Sequence, residues 1–230
     1  EDLNEAIPIL RKNPHIKIAS VFTHLAGADE SAHDAFSVAQ VARYEYAYQL
    51  ISSQLNTAPI QHILNSPGIL RFQQYQMDMV RLGIGLYGVN PTSERFDQLQ
   101  PAATLKTVIS QIKKVKTGES VGYGRKGKAA HEMTLATIAI GYADGFSRSF
   151  SRGAGAVLIN GKKAAVVGNV CMDMTMVDIT GIEAKEGDDV IIFGEGLPIQ
   201  EQATRANTIP YEILTSTSER VKRIFFAESM

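Results

Sequence analysis

The period of the apolar positions changes partway along the chain. Leu3, Ala6, Ile7 and Leu10 recur at helical spacing and run into the breaker Asn13-Pro14. Ile16 to Phe22 reads as a short buried strand. From Ala35 to Leu55, one apolar stripe of Phe36, Ala39, Tyr44, Ala47, Tyr48, Ile51 and Leu55 predicts a long helix. A second strand is predicted over Pro59 to Leu64, and a third over Met79 to Tyr87 after a short helix. Strands alternating with helices imply parallel pairing, with functional groups at the carboxyl ends of the strands. His24, Asn65-Ser66 and Arg81 to Ile84 stand at those ends.

From about residue 98 the texture is β. Short strands are predicted over Leu105 to Val115, Met133 to Gly141, Gly155 to Ile159, Ala164 to Val167, Met174 to Ile179 and Val190 to Phe193. Asn160-Gly161 is a two-residue hairpin signal, because both central positions of a type I′ turn need positive φ. Thr208-Ile209-Pro210 opens a late helix, with proline in its first turn where no amide donor is lost. The polar, proline-containing stretch from Pro91 to Pro101 reads as a linker. The expected division is therefore an α/β part over 1–97 and a mainly β part over 98–230. Three parallel strands do not close a (β/α)8 barrel, which takes about 250 residues, and by themselves they leave edges and one face uncovered. The opening residues are acidic, already helical and without an initiating methionine, so the expectation is the carboxyl-terminal part of a longer protein. The alternative is a small three-stranded α/β domain complete in itself.

Composition narrows the function class. Lysine and arginine number 23 against 24 acidic residues, a net charge of −1, which provides no global field for nucleic acid or an anionic membrane. The one cysteine, Cys171, excludes an internal disulfide framework and a CxxC site and fits a reducing, cytoplasmic setting. No apolar run approaches the ~18 residues of a spanning helix.

Several segments bear groups capable of chemistry, each with a plainer reading beside it. Asp78 to Gly88 places Arg81 ahead of Gly83 and Gly85, so that successive backbone amides can face one anion; otherwise it is a glycine-punctuated strand with a surface arginine. Tyr123 lies between Gly122 and Gly124, where its phenol can approach a ligand closely and move a proton; otherwise it is a turn tyrosine in water. Gly141-Tyr142-Ala143-Asp144-Gly145 has the same character. Val170-Cys171-Met172-Asp173-Met174 is an apolar run broken by one aspartate, a nucleophile site or simply a strand end with a buried thiol. His24, Asp29, Glu30 and His33 could hold a hydrolytic metal, although Asp29 to His33 reads better as the cap and first turn of a helix starting near Ser31.

Taken together, Thr23-His24-Leu25-Ala26, Asn65-Ser66, Asp78 to Gly88, Ser120 to Gly124, Ile140 to Gly145, Cys171-Met172-Asp173, Pro210-Tyr211-Glu212 and Ser218-Glu219-Arg220-Val221 resemble, in order and spacing, the carboxyl-terminal three-fifths of the alanine racemases. The resemblance covers essentially the whole chain. It implies the last part of a pyridoxal-phosphate-binding (β/α)8 barrel followed by a β-rich domain. The implied protein is a homodimer in which the β domain of one subunit completes the barrel site of the other. The implied activity is interconversion of L- and D-alanine, supplying D-alanine for peptidoglycan. The family's cofactor lysine lies in a segment like VVKANAYG, which nothing here matches, and its substrate-contacting barrel arginine would fall just upstream of Glu1. The chain by itself is accordingly expected to be inactive.

The resemblance also implies roles. Tyr123 matches the base that serves the L-isomer, opposite the lysine. Arg81 matches the residue facing the pyridine nitrogen; because guanidinium does not give up its proton, that nitrogen stays largely unprotonated, which favours racemisation over transamination or decarboxylation. His24 matches a ring-adjacent histidine in the same network. The cofactor phosphate would rest on the Ser66 hydroxyl, the Gly83 and Ile84 amides and the Tyr211 hydroxyl. Met172, flanked by Cys171 and Asp173, would bind the substrate carboxylate through its backbone amide, and Tyr142 and Ile209 would restrict the side chain. A serine racemase of the same fold, or a non-catalytic module of a bifunctional protein, are the other functions in view.

Overall fold

The computed structural model describes residues 2–92 and 99–226. The chain divides into two compact units, Glu1–Gln100 and Pro101–Met230. The expected boundary between residues 97 and 98 lies outside the described residues.

The amino-terminal unit opens with helix α1 (Asp2–Lys12), followed by strand β1 (Ser20–Phe22), helix α2 (Asp34–Leu55), strand β2 (Ile60–His62) and the short helix α3 (Ser66–Arg71). β1 and β2 pair in parallel, Ser20 opposite Ile60 and Phe22 opposite His62, with α2 as the crossover. The anchors of α2 are partly polar: Tyr44 Oη donates to Val21 O at 3.0 Å and Tyr48 Oη to Pro59 O at 3.1 Å. Burial, with Tyr48 and Asp78 nearby, pushes the Tyr44 phenol up to about 12. Leu25, Ala28, Val41, Tyr44, Ile63, Leu64 and Phe72 form the core beneath the sheet.

Three expectations need correction here. Along α2 the expected stripe holds from Tyr44 to Leu55, with Tyr44 and Ile51 buried, but at its start Phe36 is 54% exposed and Ser37 and Val41 take the buried face instead. The first strand starts at Ser20, since Ile16 N closes a turn on Asn13 O at 3.0 Å. The third strand does not form. The segment before Gly83 runs extended beside β2, with Met79 N on Gln61 O at 3.2 Å and Arg81 N on Leu64 O at 2.9 Å. The Asp78 carboxylate takes the Gln61 amide at 2.8 Å, displacing a rung of the ladder, and Ile84–Tyr87 coils into a 3₁₀ turn.

The carboxyl-terminal unit is a closed antiparallel barrel. Its strands are β3 (Leu105–Val115), β6 (Met133–Ile138), β7 (Ala156–Ile159), β8 (Lys162–Val167), β9 (Thr175–Asp178) and β10 (Asp189–Phe193), in the order β10-β3-β6-β9-β8-β7. A two-stranded hairpin, β4 (Ser120–Val121) with β5 (Gly127–Lys128), stands apart from the barrel sheet. Ile138, Val157, Ile159, Val177 and Val190 line the interior with no exposed surface. The β7–β8 hairpin turns at Asn160 and Gly161, φ 48° and 76°, the left-handed pair that the sequence requires. Closure rests on β7 against β10, Ile159 opposite Val190. Two helices follow, α4 (Ile199–Ala206) and α5 (Pro210–Ser216). α4 escapes sequence reading because its buried face includes a polar residue: Gln202, 1% exposed, donates through Nε2 to Ala156 O at 2.7 Å and to Ile192 O. It thereby bridges β7 and β10.

Candidate active site

In the amino-terminal unit the site residues gather at the carboxyl ends of β1 and β2. Arg81 is their centre. Its Nη1 donates to His62 Nδ1 at 2.7 Å and to His62 O at 2.9 Å, and its Nη2 donates to Thr23 O at 2.9 Å. The guanidinium also lies 5.2 Å from the centroid of the Phe22 ring, and that ring stacks on His62 at 5.1 Å. Arginine offers only donors, so His62 accepts at Nδ1 and carries its proton on Nε2. Burial first, and the Arg81 charge second, hold the His62 pKa below its ordinary value.

His24 is less settled. Its Nε2 is 3.3 Å from Asn65 Nδ2 and its Nδ1 is 3.4 Å from Arg81 Nη2. The Asn65 amide is oriented by Gly68 N donating to Oδ1 at 3.1 Å and by Nδ2 donating to Leu25 O at 3.0 Å. Both neighbours of the imidazole are therefore donors, whereas a neutral ring accepts at one nitrogen only. In either neutral tautomer, only one of these two contacts is a hydrogen bond. Gln40 steadies its backbone from α2, Nε2 donating to His24 O at 2.6 Å and to Thr23 Oγ1 at 3.0 Å.

The anion cradle is built on Ser66, 4% exposed. Its Oγ accepts from Gly83 N at 2.9 Å and from Gly85 N at 3.3 Å. Both lone pairs are then occupied, leaving the hydroxyl proton to donate outward. The Ile84 amide begins the 3₁₀ turn, a position without an intrahelical acceptor. The Gly83 amide, expected to face a phosphate, donates to Ser66 in this structure. A Cβ on Gly83 would meet only Ser66 Oγ, at 3.5 Å, so the cradle is open on that side.

In the carboxyl-terminal unit Tyr123 sits on the β4–β5 hairpin between Gly122 (φ 74°) and Gly124 (φ 65°), its ring 77% exposed. Asn169 Nδ2 donates to Tyr123 O at 3.2 Å. Tyr142 and Met172 come together: Tyr142 N donates to Cys171 O at 2.9 Å and Ala143 N to Met172 O at 3.0 Å. Gly141 must be glycine for this approach, since a Cβ would lie 2.3 Å from the carbonyl oxygens of Cys171 and Met172. Among the described residues the Met172 amide finds no acceptor. Cys171 is buried, its Sγ turned to Asn169 O at 3.5 Å, an unpromising nucleophile. Ile209, at the amino end of α5, and Tyr211, in its first turn, are exposed.

The alternative of a metal held by His24, Asp29, Glu30 and His33 finds no support: among the described residues no three His, Cys, Asp or Glu side chains are grouped to hold an ion. Glu30 stands at the helix N-cap without a side-chain capping bond. His62 and Gln40 were missed by sequence reasoning. Only the position of His62 at a strand's carboxyl end could have signalled it.

The donor set fits a phosphorylated pyridine cofactor. A buried hydroxyl with a free proton and an unpaired amide suit a phosphate, and a guanidinium suits a ring nitrogen that accepts. Of the lysines in this unit, Lys12 ends α1 and Lys17 precedes β1, so neither stands at the carboxyl end of a strand.

A partial parallel α/β barrel with an anion cradle, joined to a closed antiparallel barrel, defines a two-domain cofactor-enzyme architecture. Residues 102–225 match the family model described as alanine racemase, C-terminal domain, and residues 1–91 the model described as alanine racemase, N-terminal domain. The chain belongs to the alanine racemase family, and its amino-terminal unit is a portion of that family's (β/α)8 barrel. It is 40% identical over 216 residues to the alanine racemase of Desulforamulus reducens, covering 91% of this chain and 58% of that protein. To alanine racemase 1 of Clostridium acetobutylicum it is 37% identical over 224 residues, 94% and 58% of the respective lengths. Among solved structures, alanine racemase from Streptomyces coelicolor A3(2) superposes with a TM-score of 0.91 at 33% identity, covering 99% of this chain and 62% of that one. The Bartonella henselae enzyme with covalently bound pyridoxal phosphate gives 0.82 at 34% identity, with coverages of 96% and 61%. The chain thus spans about three-fifths of the length of these relatives. Among its described residues no helix is long and apolar enough to cross a membrane.

Proposed function

We propose that the protein carrying this chain is a pyridoxal-phosphate-dependent isomerase that interconverts L- and D-alanine as a homodimer with shared active sites. The observation that carries this reading is the pairing of Arg81, held by two histidines, with the outward proton of Ser66 at adjacent strand ends. Pyridoxal phosphate, when bound, takes up the substrate amino group and acidifies its α C–H by drawing the electron pair into its ring. Ser66, the Ile84 amide and Tyr211 hold the phosphate, and the Gly83 amide, bonded to Ser66 Oγ, fixes that hydroxyl in place. Arg81 donates to the ring nitrogen without protonating it, because guanidinium retains its proton. His24 lies in the same layer, its Nδ1 3.4 Å from Arg81 Nη2. Tyr123 moves the α-proton of the L-isomer. The free Met172 amide, with Cys171 and Asp173 on either side, receives the substrate carboxylate, and Tyr142 and Ile209 limit the side chain to a small one.

Incubation of each enantiomer of alanine and of serine with cofactor in deuterium oxide tests this. Exchange of the α-proton with loss of optical activity, faster for alanine, is expected of the natural polypeptide that contains the chain. Exchange of serine alone would move the substrate, and no exchange would overturn the reading. The 230 residues by themselves are expected to show neither exchange nor, after borohydride reduction, a stoichiometrically labelled lysine.

A further inference from the structure

Arg220 belongs to a motif that marks the family yet has no role in the reading above. Its guanidinium joins two loops: Nε lies 3.0 Å from Asp144 Oδ1, and Nη2 donates to Asp173 Oδ1 at 2.6 Å. One loop carries Tyr142 and the other Met172. The second oxygen of Asp144 accepts from Gly141 N at 2.9 Å, so this carboxylate also closes the turn that presents Tyr142. The segment presenting Arg220 is itself pinned to that turn, by Ser218 N on Asp144 O at 3.1 Å and Ser216 Oγ on Gly145 O at 3.3 Å. A Cβ at Gly145 would fall 2.3 Å from Ser216 O. Turn, strand-end loop and carboxyl-terminal segment thus share one guanidinium.

We propose that Arg220 is a positioning residue for substrate, its fork holding the Met172 amide and the Tyr142 ring in one frame. The proposal rests on the racemase reading. Two carboxylates face one guanidinium, so the cluster carries a net negative charge beside an amide meant for an anion. Removing Arg220 frees the loops and doubles that charge, and both effects oppose a carboxylate ligand. Arg220 and Asp173 are about half exposed, although Asp144 is largely buried, which limits the size of the change. Lysine restores the charge but not the two-armed contact.

The test uses Arg220→Met and Arg220→Lys in the natural polypeptide. Readouts are kcat and KM for both alanine enantiomers, inhibition by propanoate (the substrate without its amino group), cofactor affinity and thermal midpoint. For Arg220→Met, KM and the propanoate inhibition constant should rise together by about three- to tenfold. Cofactor affinity should stay unchanged, and Arg220→Lys should recover part of the loss. A lower thermal midpoint with KM and inhibition constant within twofold of wild type would reduce Arg220 to a structural tie and overturn the proposal. Should Arg220→Met fail to fold, Arg220→Lys, which keeps the charge and loses the two-armed contact, must raise the inhibition constant or the proposal falls. An inert wild-type protein is a different outcome: it removes the racemase reading and this proposal with it.

Discussion

Replacing Ser66 by alanine separates the phosphate cradle from the rest of the cofactor site. The Oγ is buried and accepts from two backbone amides, at 2.9 and 3.3 Å, so its one remaining function is to donate its proton. A hydrogen bond to a charged group contributes about 1.5–3 kcal/mol. Losing the hydroxyl also releases the Gly83 amide, which can turn to the phosphate and recover about 1 kcal/mol. The net loss is about 0.5–2 kcal/mol, or about 2- to 30-fold in dissociation constant. Equilibrium titration with pyridoxamine phosphate and with phosphate-free pyridoxamine reads this directly, because neither ligand forms an imine with lysine. The phosphorylated ligand should weaken by that factor and the phosphate-free one by less than twofold. Equal weakening of both would mean that Ser66 only supports the Gly83–Gly85 turn. No weakening of either would place the phosphate elsewhere, and in both cases the assignment of the cradle is refuted.

Two further outcomes follow from the same geometry. Tyr123→Phe, on an exposed hairpin that buries nothing through its hydroxyl, should retain cofactor and lose turnover by roughly 10²-fold or more; wild-type rates in both directions would remove Tyr123 from proton transfer. His62 is held neutral by burial and by Arg81, so its folded pKa lies below the ordinary 6.5. Its contribution to stability is whole above 6.5 and is lost as pH falls through the lower folded value, because the unfolded chain binds the proton first. Denaturant unfolding at successive pH values should show that decline in wild type and a smaller one in His62→Gln; identical slopes would contradict it.

Much of this was legible along the chain wherever the determinants are local. The Asn160-Gly161 turn, Pro210 opening a helix and the extent of the long crossover helix all follow from backbone preferences and periodicity within a few residues. So do the strand ends bearing His24 and Ser66, because a parallel α/β pattern places functional groups there. Tertiary structure decided the remainder. Ile159 meets Val190 only once the barrel closes, and no local pattern encodes that pairing. The segment after Asp78 has the composition of a strand, yet a carboxylate takes the amide its ladder needs. At the start of α2 Ser37 and Val41 are buried in place of Phe36, and Tyr44 and Tyr48 of the apolar stripe add hydroxyl bonds to carbonyls on β1 and just ahead of β2. His62 reads as an ordinary strand residue until Arg81 meets its Nδ1, and Arg220 as a surface charge until two aspartates from separate loops converge on it. Periodicity reports which side of an element is apolar; register, closure and polar partnership are properties of residues distant in sequence, and only packing brings them within bonding range.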